Sequence, residues 1–165
     1  MELAYLNLSI LYNNKNQLNK SIEILKKGIN ISPNFMPFYK NLASFYRNSG
    51  QIELAIETNL FIISRNKFDF NSFYELSGIY DFKNHKNELN FLLNIKLENL
   101  NPNSKIYAAF AISNLFHKKG KFKESAKYLQ IANDESMKYK ESDLILKIKH
   151  TEFYRSLKSK KSKKN

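Results

Sequence analysis

Apolar positions return along this chain in blocks spaced 34 residues apart. The first block, YLNLSILY (5–12), reads two ways in isolation: Leu6 to Ile10 alternate apolar and polar as in a half-buried strand, whereas Tyr5, Leu8, Leu11 and Tyr12 fall at helical spacing. Its echoes, YKNLASFY (39–46) and FYELSGIY (73–80), decide between them. Aligned, the three keep an aromatic first (Tyr5, Tyr39, Phe73), Leu fourth (Leu8, Leu42, Leu76), a small residue fifth (Ser9, Ala43, Ser77) and Tyr eighth (Tyr12, Tyr46, Tyr80). Offsets of 3, 4 and 7 share one helical face, and the period-2 alternation is missing from the second and third copies. The blocks are predicted helices whose repeat-phased residues, Leu8 included, belong to packing. A fourth copy, AFAISNLF (109–116), returns after about two extra residues near Asn101, Pro102 and Asn103.

Each block is followed by a polar turn and a second apolar-periodic run: 18–29, 52–63, 88–100 and 122–132. The repeating unit is therefore a helix pair. Gly50 and Gly120 stand in the first turn of their units, with Asn16 and Asn84 in the equivalent places, and both residue types tolerate the positive φ that a tight turn requires. Pro33 and Pro102 are expected to close the first and third units.

In this pattern the chain resembles the tetratricopeptide repeat (TPR) family, whose 34-residue unit carries an aromatic, Leu, a small residue and Tyr on its first helix and Gly at the turn, with small and bulky apolar residues on the second helix and a closing Pro. Tyr5, Leu8, Ser9, Tyr12, Ser21, Leu25, Gly28 and Pro33 fit in order; the second unit fits with Tyr39, Leu42, Ala43, Tyr46, Gly50, Ala55 and Ile62, but has Asn59 and Lys67 where a bulky residue and Pro belong. The resemblance implies an all-α TPR superhelix, an α-solenoid, over 1–136, with repeats at about 2–35, 36–69, 70–105 and 106–139. Residues 141–157, with Leu144, Ile148 and Phe153 near one face, are expected to form a helix capping the last repeat. The lysine-rich tail 158–165 is expected to be disordered.

Composition narrows the chemistry. There is no Cys, and His85, His117 and His150 are far apart in sequence, so no metal and no cofactor is expected. The four glycines fall at repeat or turn positions, leaving no Gly-rich phosphate cradle, and no G-x-S-x-G elbow occurs. The chain is not expected to be an enzyme. With no membrane span or signal segment in view, a cytoplasmic location is the default expectation. The net charge of +12 is uneven: residues 1–100 hold 11 basic against 9 acidic side chains, and residues 101–165 hold 16 against 6. Only Arg47, Arg65 and Arg155 are arginine, whereas phosphate- and base-reading surfaces favour its planar fork. Nucleic acid is thus a partner to test, but not the favoured one.

TPR geometry implies a concave groove lined by first helices, with Asn7, Ile10 and Asn13, then Asn41, Ser44 and Arg47, then Glu75, Gly78 and Asp81, then Ala111, Asn114 and His117 facing it, flanked by Lys40 and Tyr74. Asn7 and Asn41 occupy one repeat position. An Asn amide donates and accepts at once, so two in a row can grip successive peptide groups of an extended chain, an arrangement that resembles the asparagine ladder of the O-linked N-acetylglucosamine transferase superhelix. The carboxylate clamp that holds chaperone tails is matched only by Asn41; Leu6, Ile10, Asn71 and Glu75 stand in its other places, which argues against such tails. The expected function is non-catalytic binding of a partner peptide or protein segment by Asn7, Lys40, Asn41, Arg47, Tyr74, Glu75 and Asn114, and the mixed groove charges suit a mixed-charge peptide. Two alternatives remain. Residues 123–157 are similar to the segment after the last repeat in bacterial TPR–sulfotransferase fusions, which implies a substrate-presenting portion of such an enzyme. The lysines of the C-terminal part instead suit an anionic surface. Oligomeric state is not legible from the sequence.

Overall fold

The computed structural model describes residues 1–138 and 140, and the predicted capping helix and tail, 141–165, lie outside them. The described residues contain helices and no strand. The helices are α1 (Glu2–Asn14), α2 (Leu18–Ile31), α3 (Met36–Asn48), α4 (Ile52–Arg65), α5 (Phe70–Ile79), α6 (Lys86–Leu93) and α7 (Pro102–Lys118), with a 3-10 turn at Leu97–Asn99. A further helix, α8, covers 122–138. The sequence YLNLSILY lies wholly within α1.

Helix ends follow from local chemistry. Asn16, Gly50 and Gly120 all have positive φ, at 57°, 75° and 70°. At each, the left-handed residue donates to the carbonyl three residues back, and the next residue donates to the carbonyl five back (Gln17 to Tyr12, Gln51 to Tyr46, Lys121 to Phe116, each 2.9 Å). This is the paired 5→2 and 6→1 bonding that ends a helix on a left-handed residue. Asp69 caps α5 by accepting the Ser72 backbone N–H at 3.1 Å, and Asn101 caps α7 by accepting that of Ser104 at 2.9 Å. Pro102, expected to close the third unit, instead opens α7, where a missing N–H has no intrahelical partner to lose.

The third unit departs from the pattern. Links 15–17, 49–51 and 119–121 are tight, but 80–85 is longer, and the left-handed residue in it is Phe82 (φ 61°), not Asn84. Phe82 is fully buried against Phe73 and Tyr80, with ring centroids 6.1 and 5.2 Å away. Burial of the ring outweighs the roughly 1–2 kcal/mol that a left-handed conformation costs a residue with a β-carbon. The run 88–100, predicted as one helix, stops as a helix at Leu93 and continues through the 3-10 turn, yet still buries Leu92 and Leu97.

Helices α1 to α5 pack consecutively, each on the next. Beyond that, α5 packs most closely on α7, while α6 touches α7 more lightly. Tyr74 meets Tyr107 and Phe110, Ser77 meets Asn114, and Tyr80 meets Lys118, so contacts advance together and α5 and α7 run parallel. Fully buried Ser77 and Ala111 suit that close approach. The core falls into two clusters. One joins Ile22 and Leu25 to Phe38, Leu42, Phe45, Tyr46 and Ala55; the other runs from Ile63 through Phe73, Leu76 and Phe82 to Ile112, Leu115 and Ala132. In the first unit Ser9 is buried and Tyr5 and Tyr12 are half-buried, but Leu8, expected in the packing, is exposed, because no helix lies over that side of α1 in the described residues.

Candidate functional site

Asn7, Asn41 and the other sequence-derived candidates lie on first helices α1, α3, α5 and α7, except Asp81, which falls beyond the end of α5 in the link 80–85. Asn7 is exposed and Asn41 half-buried. The charged candidates are engaged within the protein. The Lys40 ammonium pairs with the Asp69 carboxylate, which is nearly buried and also caps α5. The Arg47 guanidinium pairs with Glu75, tying α3 to α5. Asp81 accepts the Lys83 backbone N–H at 3.0 Å and its ammonium at 3.0 Å, and these two contacts hold its carboxyl below the usual range. Paired in this way within the protein, these side chains offer a ligand less uncompensated charge of either sign than the sequence suggests.

The polar candidate on α7 is likewise engaged in part: the Asn114 amide donates to the Ser77 hydroxyl at 3.0 Å, and that hydroxyl donates to the Tyr74 carbonyl at 2.7 Å. Ala111, assigned to the groove by repeat position, is fully buried, a consequence of the close α5–α7 approach. Lys118 reaches the Tyr80 carbonyl at 3.4 Å, and partial burial pushes its ammonium below the ordinary lysine value.

Tyr74 leads to a feature that repeat position alone did not single out. Between α5, α7 and the end of α8 lies an open pocket of about 390 Å³ lined by Tyr74, Asn103, Ile106, Tyr107, Phe110, Ser136 and Lys140. Its floor is aromatic: Tyr74 lies 5.9 Å from Tyr107 and 5.8 Å from Phe110 between ring centroids. The signal for it was present in the spacing, since Asn103, Tyr107, Phe110, Asn114 and His117 form one stripe of α7. Lys105 of α7 joins Glu135 of α8 at 2.7 Å, and that hydrogen bond lowers the Glu135 pKa. Among the described residues, no group of three acidic or histidine side chains could hold a metal ion, and no helix is long and apolar enough to cross a membrane.

The tetratricopeptide repeat sequence model matches residues 3–35, the first helix pair. No curated protein matches the chain. Solved structures of MamA superpose on it: one at a TM-score of 0.58 and 21% identity, covering 85% of this chain and 81% of that one. A mutant of MamA gives 0.54 and 20%, covering 82% and 77%, and an MSR-1 form gives 0.53 and 15%, covering 84% and 79%. At such identities the likeness is one of fold. The described residues form an all-α solenoid of TPR type, an architecture that in general serves as a protein-interaction scaffold.

Proposed function

We propose that this chain is a non-catalytic docking module whose first helices bind an extended segment of a partner protein, with Asn7 and Asn41 gripping its peptide groups and the Tyr74–Tyr107–Phe110 pocket taking one of its apolar side chains. The observation that carries this reading is the pocket, an open aromatic hollow lined also by the polar Asn103, Ser136 and Lys140, the mixture that side-chain recognition uses. The internal pairing of Lys40 with Asp69 and of Arg47 with Glu75 supports a largely uncharged ligand in place of the mixed-charge peptide suggested by the sequence.

A peptide array probed with wild type, an Asn7→Ala, Asn41→Ala double variant and Tyr107→Ala tests it. Removing one amide hydrogen bond costs about 0.5–1.5 kcal/mol, so the double variant should bind roughly 5- to 150-fold more weakly. Tyr107→Ala should remove the preference for an apolar anchor residue. Ligands that bind wild type and both variants equally well would overturn the reading, as would an affinity that depends steeply on salt, the mark of a polyanion ligand.

A further inference from the structure

We propose that copies of this chain associate end to end, with α8 of one copy packing on α1 of the next and repeating between molecules the junction that α2 makes with α3 inside each. This inference is independent of the groove reading.

The internal junction defines the chemistry. Ile22 and Leu25 of α2 share a core cluster with Phe38, Leu42 and Phe45 of α3, and the Phe38 ring lies directly against Gly28. The repeat places Ala4, Leu8 and Leu11 of α1 where Phe38, Leu42 and Phe45 stand one unit later. Leu42 and Phe45 are 6% and 5% exposed, whereas Leu8 and Leu11 are 39% and 56%. This side of α1 is built like a covered face and is open.

The other end carries the complementary half. Aligning Phe116 with Tyr12 places Phe122, Ala126 and Leu129 of α8 where Leu18, Ile22 and Leu25 stand in α2. Leu25 is fully buried, but Leu129 is 43% and Phe122 64% exposed. Phe122, Ala126 and Leu129 are spaced i, i+4, i+7, one stripe of the helix. Neither stripe itself contains a charged residue, so no ion has to be buried between the apolar side chains that meet.

A second copy is the occupant that the chain itself specifies, since the open α1 face matches the α3 side of a junction it already forms and the open α8 stripe matches the α2 side. Because the two surfaces differ, the contact is heterologous and leaves a usable face at each end, so assembly grows as a chain of molecules.

The mass of the 165-residue protein, followed by light scattering after gel filtration over increasing concentration, tests this directly. Wild type should form species beyond a dimer as concentration rises. Leu8→Glu and Leu129→Glu should each be monomeric alone, with unchanged circular dichroism, because both sites are exposed. Mixed at equal concentration they should form a dimer and nothing larger, since each contributes the one face that the other has lost. If either acidic variant loses helicity, Leu8→Gln and Leu129→Gln provide the same pairing. A monomeric wild type at every concentration would overturn the proposal, including the case in which residues 141–157 cover α8 within the same molecule. Continued self-association of both single variants, or a mixture that stays monomeric, would overturn it as well.

Discussion

A β-carbon placed on Gly28 would lie 2.6 Å from Cζ of Phe38, and that ring is itself buried in the N-terminal core cluster and cannot swing away. Gly28→Ala should therefore lower stability by about 1 kcal/mol, because overpacking of about 1–3 kcal/mol outweighs a helix-propensity gain near 1 kcal/mol. Gly78, inside α5 with open space around it, should respond in the opposite sense: Gly78→Ala should raise stability by about 0.5–1 kcal/mol. Urea unfolding midpoints should move in opposite directions, and a shared direction would contradict this packing at Gly28. Composition could not separate the two glycines, since only the ring facing one of them differs. The same limit applies elsewhere. Asn16, Gly50 and Gly120 were readable as turn residues from their types, but nothing in the identity of Phe82 announces a positive φ; burial of its ring imposes it. The positions of Lys40 and Arg47 were readable from the period, while their pairing with Asp69 and Glu75 was not, because the partners stand 29 and 28 residues away, off the 34-residue period.

Between helices, two ion pairs of similar appearance should differ in weight. Asp69 is nearly buried, pairs with Lys40 and caps α5, so Asp69→Ala should cost about 1–2 kcal/mol, chiefly as a lost cap. Asp69→Asn keeps an acceptor for the Ser72 N–H and should recover most of it. Glu75→Ala breaks a more exposed pair and should cost under about 1 kcal/mol. Equal losses at the two sites, measured by thermal or urea unfolding, would count against this ranking. The Lys105–Glu135 contact between α7 and α8 has a pH signature. Since Lys105 lowers the Glu135 pKa in the folded state, the pair's stabilisation is present above the ordinary glutamate value, about 4.3, and fades as pH falls through the lower folded value. Lys105→Met should therefore destabilise near neutral pH and converge on wild type in acid; a difference that stays constant with pH would rule out this linkage. Helix existence was legible from the period at nearly every element. The exception is the run 88–100, whose apolar spacing fits a helix but whose residues serve Leu92 and Leu97 by a broken path, because α7 packs closely on α5 and Phe82 redirects the chain.

The 34-residue period made the solenoid readable without any contact being known, since each unit can bury its apolar face only against its neighbours. What the period could not supply is how evenly those neighbours join, and this sets how the molecule comes apart. The core is two clusters, both reached by α4, which contributes Ala55 to one and Ile63 to the other. With the outer side of α1 exposed, the N-terminal cluster has the thinner cover. In a linear array, stability is a sum of unit and nearest-neighbour terms, so a lesion should be felt mainly by its own cluster. Leu25 is fully buried in the N-terminal cluster, and Leu25→Ala should cost about 2–5 kcal/mol there. Hydrogen exchange should then show lost protection through α1, α2 and α3 while α5 and α7 keep theirs. Parallel loss in both halves would mean that α4 couples the clusters into one cooperative unit, and the additive picture would have to be abandoned.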